Sequence, residues 1–204
     1  MTDPASPTHA PSAATSALAE KADLDAEALE LLTDELTQSD YFDRLIEAGR
    51  PFDAVRLLAH ALPPRAAVWW AWGGAKQSAG DEPSGDTAKT LEATRVWLAE
   101  PTDERRRAAA KVGNAVDDPD AAAMAAMAVL FAEGSVGLPD RPHEPPPPGV
   151  AARLSAGAVT LAAVVDPDTH EERLARDLKQ GREVARKSGV WVDADDGSVP
   201  EGAR

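Results

Sequence analysis

A chain of 204 residues is long enough to bury a core of its own, and its make-up narrows what that core can be. Ala alone supplies 42 residues, Ile one and the aromatics 4%, so helix formers abound, strand formers are scarce, and an all-α fold is expected. The formal charge of −14 lies mostly within residues 1–50 and disfavours binding to nucleic-acid phosphates, while the absence of Cys excludes disulfides and thiolate chemistry.

Residues 1–22, rich in Pro, Ala, Ser and Thr, read as a mobile acidic tail whose removal should leave stability unchanged. A first helix is expected from Leu24, with Ala28, Leu31 and Leu32 at helical spacing. Ser39 reads as the N-cap of a second, carrying Phe42, Leu45 and Ile46 and stopped by Gly49. Pro51 fits the first turn of a third, from Phe52 to about Ala61, with Val55, Leu58, Ala59 and Leu62 inward. Pro63 and Pro64 end that helix and open another over 64–78. After a Gly80–Gly85 loop, Asp86 or Thr87 should cap the helix of Leu91, Val96, Trp97 and Leu98. Pro101 and Thr102 recap the chain for a helix holding Arg105, Arg106 and Arg107, and Asp118 with Pro119 should open an Ala- and Met-rich helix to about Ala132.

Residues 133–149 form the one long irregular connection, with Pro145, Pro146, Pro147 and Pro148 held extended. A helix over 150–165 follows, then one opened by Asp166 and Pro167 and closed near Gly189. In that last helix His170, Leu174, Leu178, Gly181 and Ala185 share a face, and Glu171, Glu172, Arg173, Arg176 and Arg182 point away. The expectation is therefore a single globular helical domain of seven to nine helices over 23–190, ending in a short acidic tail over 191–204.

Groups able to do chemistry are few. His9, His60, His143 and His170 share no metal-ligand spacing and read as surface or capping histidines. Gly181 to Ser188 has the length of a phosphate-binding loop, but Arg186 stands where a second Gly is required and the segment reads as helix interior. Asp193, Asp195 and Asp196 lack the Gly and Glu positions of a calcium loop. No catalytic, cofactor-binding or metal-binding residue is assigned, and the chain reads as more a binding protein than an enzyme. The apolar runs are too short to span a bilayer and Met1–Ser16 lacks a signal-peptide pattern, so a cytoplasmic protein without membrane insertion is expected.

The most informative stretch runs from Ala61 to Ala71. At 100° per residue Arg65, Val68, Trp69, Trp72 and Lys76 share one face, and Trp70 lies on another beside Ala66, Gly73 and Gly74. Trp70 is expected in the core, while Trp69 and Trp72, with Arg65 and Lys76, form either a second core contact or a recognition surface. The four prolines are either a rigid strap over the helical body or a preformed ligand for an aromatic groove.

The segment Ala-Leu-Pro-Pro-Arg-Ala-Ala-Val-Trp-Trp-Ala over 61–71 is one part of a wider likeness. With Trp97 to Thr102 before an Arg-rich helix, and Gly134-Ser135 ahead of the prolines, it resembles an uncharacterised family of bacterial proteins, a domain of unknown function. The likeness spans about residues 40–190 and departs at Val129 to Glu133, where relatives carry an aromatic-rich segment. It implies a shared helical fold without an established activity, and a place beside contractile-injection or type six secretion machinery. The function expected is a non-enzymatic helical adaptor with a protein partner. The competing expectation is a small-molecule binder or enzyme using Trp69, Trp72, Arg65, His60 and the arginine cluster Arg105–Arg107 in a helix-lined pocket.

Overall fold

The computed structural model describes residues 13–33, 36–138 and 140–191. Among them the chain is all-helical: α1 (Ala13–Lys21), α2 (Ala26–Glu30), α3 (Gln38–Glu47), α4 (Pro51–Ala61), α5 (Pro64–Ala79), α6 (Gly85–Ala99), α7 (Asp103–Asn114), α8 (Ala121–Leu130), α9 (Val150–Val164) and α10 (His170–Lys187). None is long and apolar enough to cross a membrane.

Local chemistry explains most boundaries. Pro51 and Pro64 occupy the first turns of α4 and α5, where a missing N–H costs nothing. Thr37, rather than the expected Ser39, caps α3: its Oγ1 accepts from the Asp40 amide at 3.1 Å, and the Asp40 carboxylate accepts from the Thr37 amide at 3.2 Å. The two groups satisfy each other's otherwise orphaned donors, which Ser39, two residues too far inside, cannot do. The same displacement by a residue or two recurs. Ser84 precedes α6 in place of Asp86 or Thr87, Asp120 caps α8 through the Ala123 amide at 2.8 Å, and Asp166 folds a turn onto Asp168 and Thr169 before α10 starts at His170. Gly49, at φ 72°, closes α3 by letting the Arg50 amide reach back to the Leu45 carbonyl at 2.8 Å.

Helices α5, α8 and α9 pack together at the centre. Helices α6 and α7 cover α8 on one flank; α3, α4 and α10 lie on the other, with α1 against α4 and α3. Tyr41, Phe42, Leu45, Leu57, Leu58, Trp70, Val159 and Leu178 fill the main core, and a second cluster around Trp97 joins Val68, Ala109 and Val129. Close approach is set by small residues: a Cβ on Gly113 would lie 2.9 Å from the Ala123 carbonyl oxygen, so α7 meets the backbone of α8.

The N-terminal boundary needs correction. Helix α1 occupies part of the expected tail, with Leu18, Ala19 and Ala22 buried and Thr15 Oγ1 donating to the Leu36 carbonyl at 3.1 Å. It brings the total among the described residues to ten helices, one above the expected range. Residues 1–12 and 192–204, including Asp193, Asp195 and Asp196, lie outside the described residues. At the other end Trp191 is buried, its ring 5.0 Å from that of Phe42, and so belongs to the body rather than to the tail.

Two buried charged groups tie segments together. Asp53, 4% exposed, receives Arg50 at 2.8 Å and also pairs with Arg56, and both arginines reach Asp25, which joins α4 to the start of α2. The Arg56 guanidinium holds the Asp25 carboxyl below its ordinary range. Arg106, 1% exposed, donates to the carbonyls of Leu130 and Ser135 at 2.6 Å each and pairs with Asp103, pinning the end of α8 and the following loop onto α7. In the same helix Arg105 pairs with Glu100 and Arg107 with Asp103, and Arg106 and Arg107 together hold the loop at the Ser135 carbonyl.

Candidate interaction surfaces and cavities

The structure divides the expected tryptophan face. Trp70 is fully buried and its indole N–H donates to the Asp177 carbonyl of α10 at 2.7 Å, on the glycine side as the helical spacing indicated. Val68, expected beside Trp69, is buried instead. Trp69 is 43% exposed. Trp72 is half-buried, donates its N–H to the Leu91 carbonyl at 3.0 Å and carries Lys76 Nζ 5.3 Å from its ring centroid. Arg65 is exposed and spans to the Leu98 carbonyl at 2.6 Å, so its charge ties α5 to the end of α6.

These residues do not converge on one pocket. Trp72 and Lys76 line a cavity of 860 Å³ with Arg95 and Arg176, while His60 lines a different one, and neither Trp69 nor Arg65 lines either of the two.

The loop after α8 is narrowed by the Val136 amide on the Glu144 carbonyl at 2.8 Å and by the Glu144 amide on Ser135 Oγ at 3.0 Å. Pro139 within it lies outside the described residues. Pro145, Pro147 and Pro148 are exposed and Pro146 is half-buried. Pro146, Pro147 and Pro148 form one wall of a 660 Å³ cavity whose other walls include His60, Leu62, Phe131 and Arg153. The prolines thus lie along the helical body, with one side of the run open to solvent.

Sequence reasoning missed a largely apolar groove on the surface. The groove, of 740 Å³, lies between α3, the start of α4 and α10, walled by Phe42, Ile46, Pro51, Phe52, Leu174 and Leu178. Ile46 and Phe52 are 39% and 40% exposed. Its charged rim comprises Lys179, Glu171 and Arg182, which lies over the Phe42 ring at 5.4 Å and pairs with Asp43. Helical periodicity places Ile46 and Phe52 on the buried sides of their helices, so no sequence signal separates them from the core.

Asp177 was equally hidden from sequence. It is fully buried on α10; Arg176 donates to Oδ1 at 3.0 and 3.1 Å, while Oδ2 has no partner, and burial raises its pKa above the usual carboxylate value. Among the described residues no three His, Asp or Glu side chains gather as a metal-ligand set.

Comparison with known proteins adds little chemistry: no curated protein and no solved structure matches the chain. A protein-family comparison matches residues 41–185, more than half of the chain, from Tyr41 of α3 to Ala185 of α10. The match takes in the double-tryptophan segment, the arginine helix and the proline loop, and leaves α1, α2 and Trp191 outside it. The chain therefore belongs to DUF6931, a family of unknown function.

Proposed function

We propose that this protein is a non-enzymatic helical adaptor, a cytoplasmic accessory to a bacterial multi-protein system of the secretion or contractile-injection kind. The groove between α3, α4 and α10 supports this reading. It is long, apolar-walled and rimmed by both signs of charge, with Ile46 and Phe52 left partly uncovered, which suits the apolar face of an amphipathic partner helix. Trp69 and the open side of Pro145 to Pro148 offer further contact area. A net charge of −14 favours a protein partner over nucleic acid.

The test is co-purification of the tagged full chain from its host, with quantitative mass spectrometry, beside an Ile46→Asp/Phe52→Asp variant. Both positions are partly exposed, so the variant should melt within a few degrees of the parent. A partner recovered with the parent should fall at least tenfold with the variant. Equal recovery with both proteins would refute the groove as the docking surface.

A further inference from the structure

His60 and Arg153 meet where the proline loop joins α9. The His60 Nδ1 lies 2.9 Å from the Arg56 carbonyl, which can only accept, so Nδ1 carries the ring proton and Nε2 is left with a bare lone pair. That Nε2 is buried and has no partner. Burial lowers the His60 pKa, against the hydrogen bond to the Arg56 carbonyl and with the Arg153 charge adding to it, which favours the neutral ring. Opposite, the Arg153 guanidinium is exposed and makes no hydrogen bond or ion pair among the described residues. Gly149, held at φ +76°, keeps the space between them clear: a Cβ there would lie 3.2 Å from Arg153 Nη1 and 3.4 Å from His60 Nε2.

This spot borders two cavities, of 660 and 450 Å³, both lined by His60 and Arg153. The larger brings Lys21 as a second cation, Glu133 as the opposing carboxylate, and an apolar wall of Leu62, Phe131 and Pro146. Two cations that can only donate thus line the same cavity as a residue whose free nitrogen can only accept. A carboxylate or a sulfate offers acceptors alone and leaves Nε2 unmet. A phosphate group holding one proton offers both, its charged oxygens to the cations and its P–OH to the imidazole. Because the Arg153 guanidinium holds no other bond, an oxyanion can draw it aside at little cost, and binding requires that the movement expose Nε2.

We propose that this cavity binds a small phosphate monoester as its singly protonated form, its negative oxygens on Arg153 and Lys21, its P–OH donated to His60 Nε2 and its organic body against the proline wall. The site is separate from the α3–α10 groove, so its success or failure is independent of partner capture.

Titration of the full chain at pH 6 with inorganic phosphate, phenyl phosphate and sulfate at equal ionic strength tests it, read by calorimetry and by the His60 ring resonances. Phenyl phosphate should bind most tightly and move the His60 Nε2 signal, with sulfate at least tenfold weaker than inorganic phosphate. Arg153→Gln should lower phosphate affinity at least tenfold without changing the melting temperature, because its guanidinium holds no structural bond. His60→Phe, which keeps the ring and removes the acceptor, should abolish the preference for phosphate over sulfate. Sulfate binding as well as phosphate, or phosphate affinity unchanged in Arg153→Gln, would overturn the proposal. Inorganic phosphate binding more tightly than phenyl phosphate would overturn the monoester assignment.

Discussion

Gly181 and Gly157 are both interior to long helices, so replacing either by Ala gains the same helix propensity, about 1 kcal/mol. What the new methyl meets differs. At Gly181 a Cβ would lie 2.5 Å from Leu58 Cδ2 and 2.7 and 2.9 Å from two atoms of the Trp70 indole. Both neighbours are fully buried, and the indole is held by its 2.7 Å bond to the Asp177 carbonyl, one turn earlier on α10. The ring cannot retreat without giving up that bond, so α10 must lift from α5. Overpacking of this kind costs about 1–3 kcal/mol, and adding the strained hydrogen bond places the sum at the upper end, near ~3 kcal/mol. The net loss of about 2 kcal/mol should lower the melting temperature by roughly 4–8 °C for a domain of this size. At Gly157 the one close atom is Met124 Cε at 2.7 Å, the free end of a flexible, half-buried side chain. There the propensity gain wins, and Gly157→Ala should melt unchanged or roughly 2–4 °C higher. Thermal denaturation followed by circular dichroism decides it. A Gly181→Ala variant as stable as the parent would show that α10 is not seated on Trp70 as described.

Four other outcomes follow from the same geometry. Trp70→Ala should cost about 3–5 kcal/mol in chemical denaturation, and Trp69→Ala, 43% exposed, at most about 1–2; equal losses would make the whole segment structural. Deleting residues 1–22 should lower the melting temperature by several degrees, because Leu18, Ala19 and Ala22 leave the core, whereas deleting 1–12 removes none of that burial. The folded-state pKa of Asp177 is raised by burial, so its contribution is most favourable below the unfolded value and is lost as pH rises through the folded one. The stability of the parent relative to Asp177→Asn should accordingly fall as pH rises above about 4, and a pH-independent difference would contradict the buried, ionising carboxyl. Arg106→Met should free the Leu130 carbonyl, leave the Ser135 carbonyl to Arg107 alone and speed amide hydrogen exchange across residues 131–136, while the amides of α5 stay protected.

Punctuation was the part of the fold that sequence carried best. Pro51, Pro64 and Thr102 mark helix starts because their backbone or side-chain chemistry acts within one turn, and Gly49 and Gly189 mark ends for the same reason. Caps missed by a residue or two, as at Asp120, fell where several Asp and Ser residues competed and only the final backbone path chose among them. Helix α1 was illegible because Ala, Ser and Thr are shared by linkers and helices. It is held by partners far along the chain, such as the Leu36 carbonyl on Thr15. The burial of Asp177, Arg106 and Asp53 was not legible, since nothing local announces the arginine or carbonyl that will meet them. At the candidate surfaces the spacing rule separated Trp70 from Trp69 but left open whether their neighbours face core or solvent, and Val68 proved buried while Trp69 stayed exposed. The groove at Ile46 and Phe52 was invisible because a pattern of apolar residues does not say whether another helix will cover them.

Helix α8 is built from AAAMAAMAVL, and six alanines of it are buried against its neighbours. Such a surface is nearly smooth: methyl groups leave shallow ridges, few side-chain rotamers are frozen on folding, and sliding by one turn meets little steric corrugation. The axial position of α8 must then be fixed from its ends. Asp120 does this at one end, bonding the Ala123 amide and receiving the Thr87 hydroxyl of α6, and Arg106 does it at the other through the Leu130 carbonyl. The central helix behaves as a lubricated rod held between two clamps, so loosening either clamp would shift its register before it melted the fold.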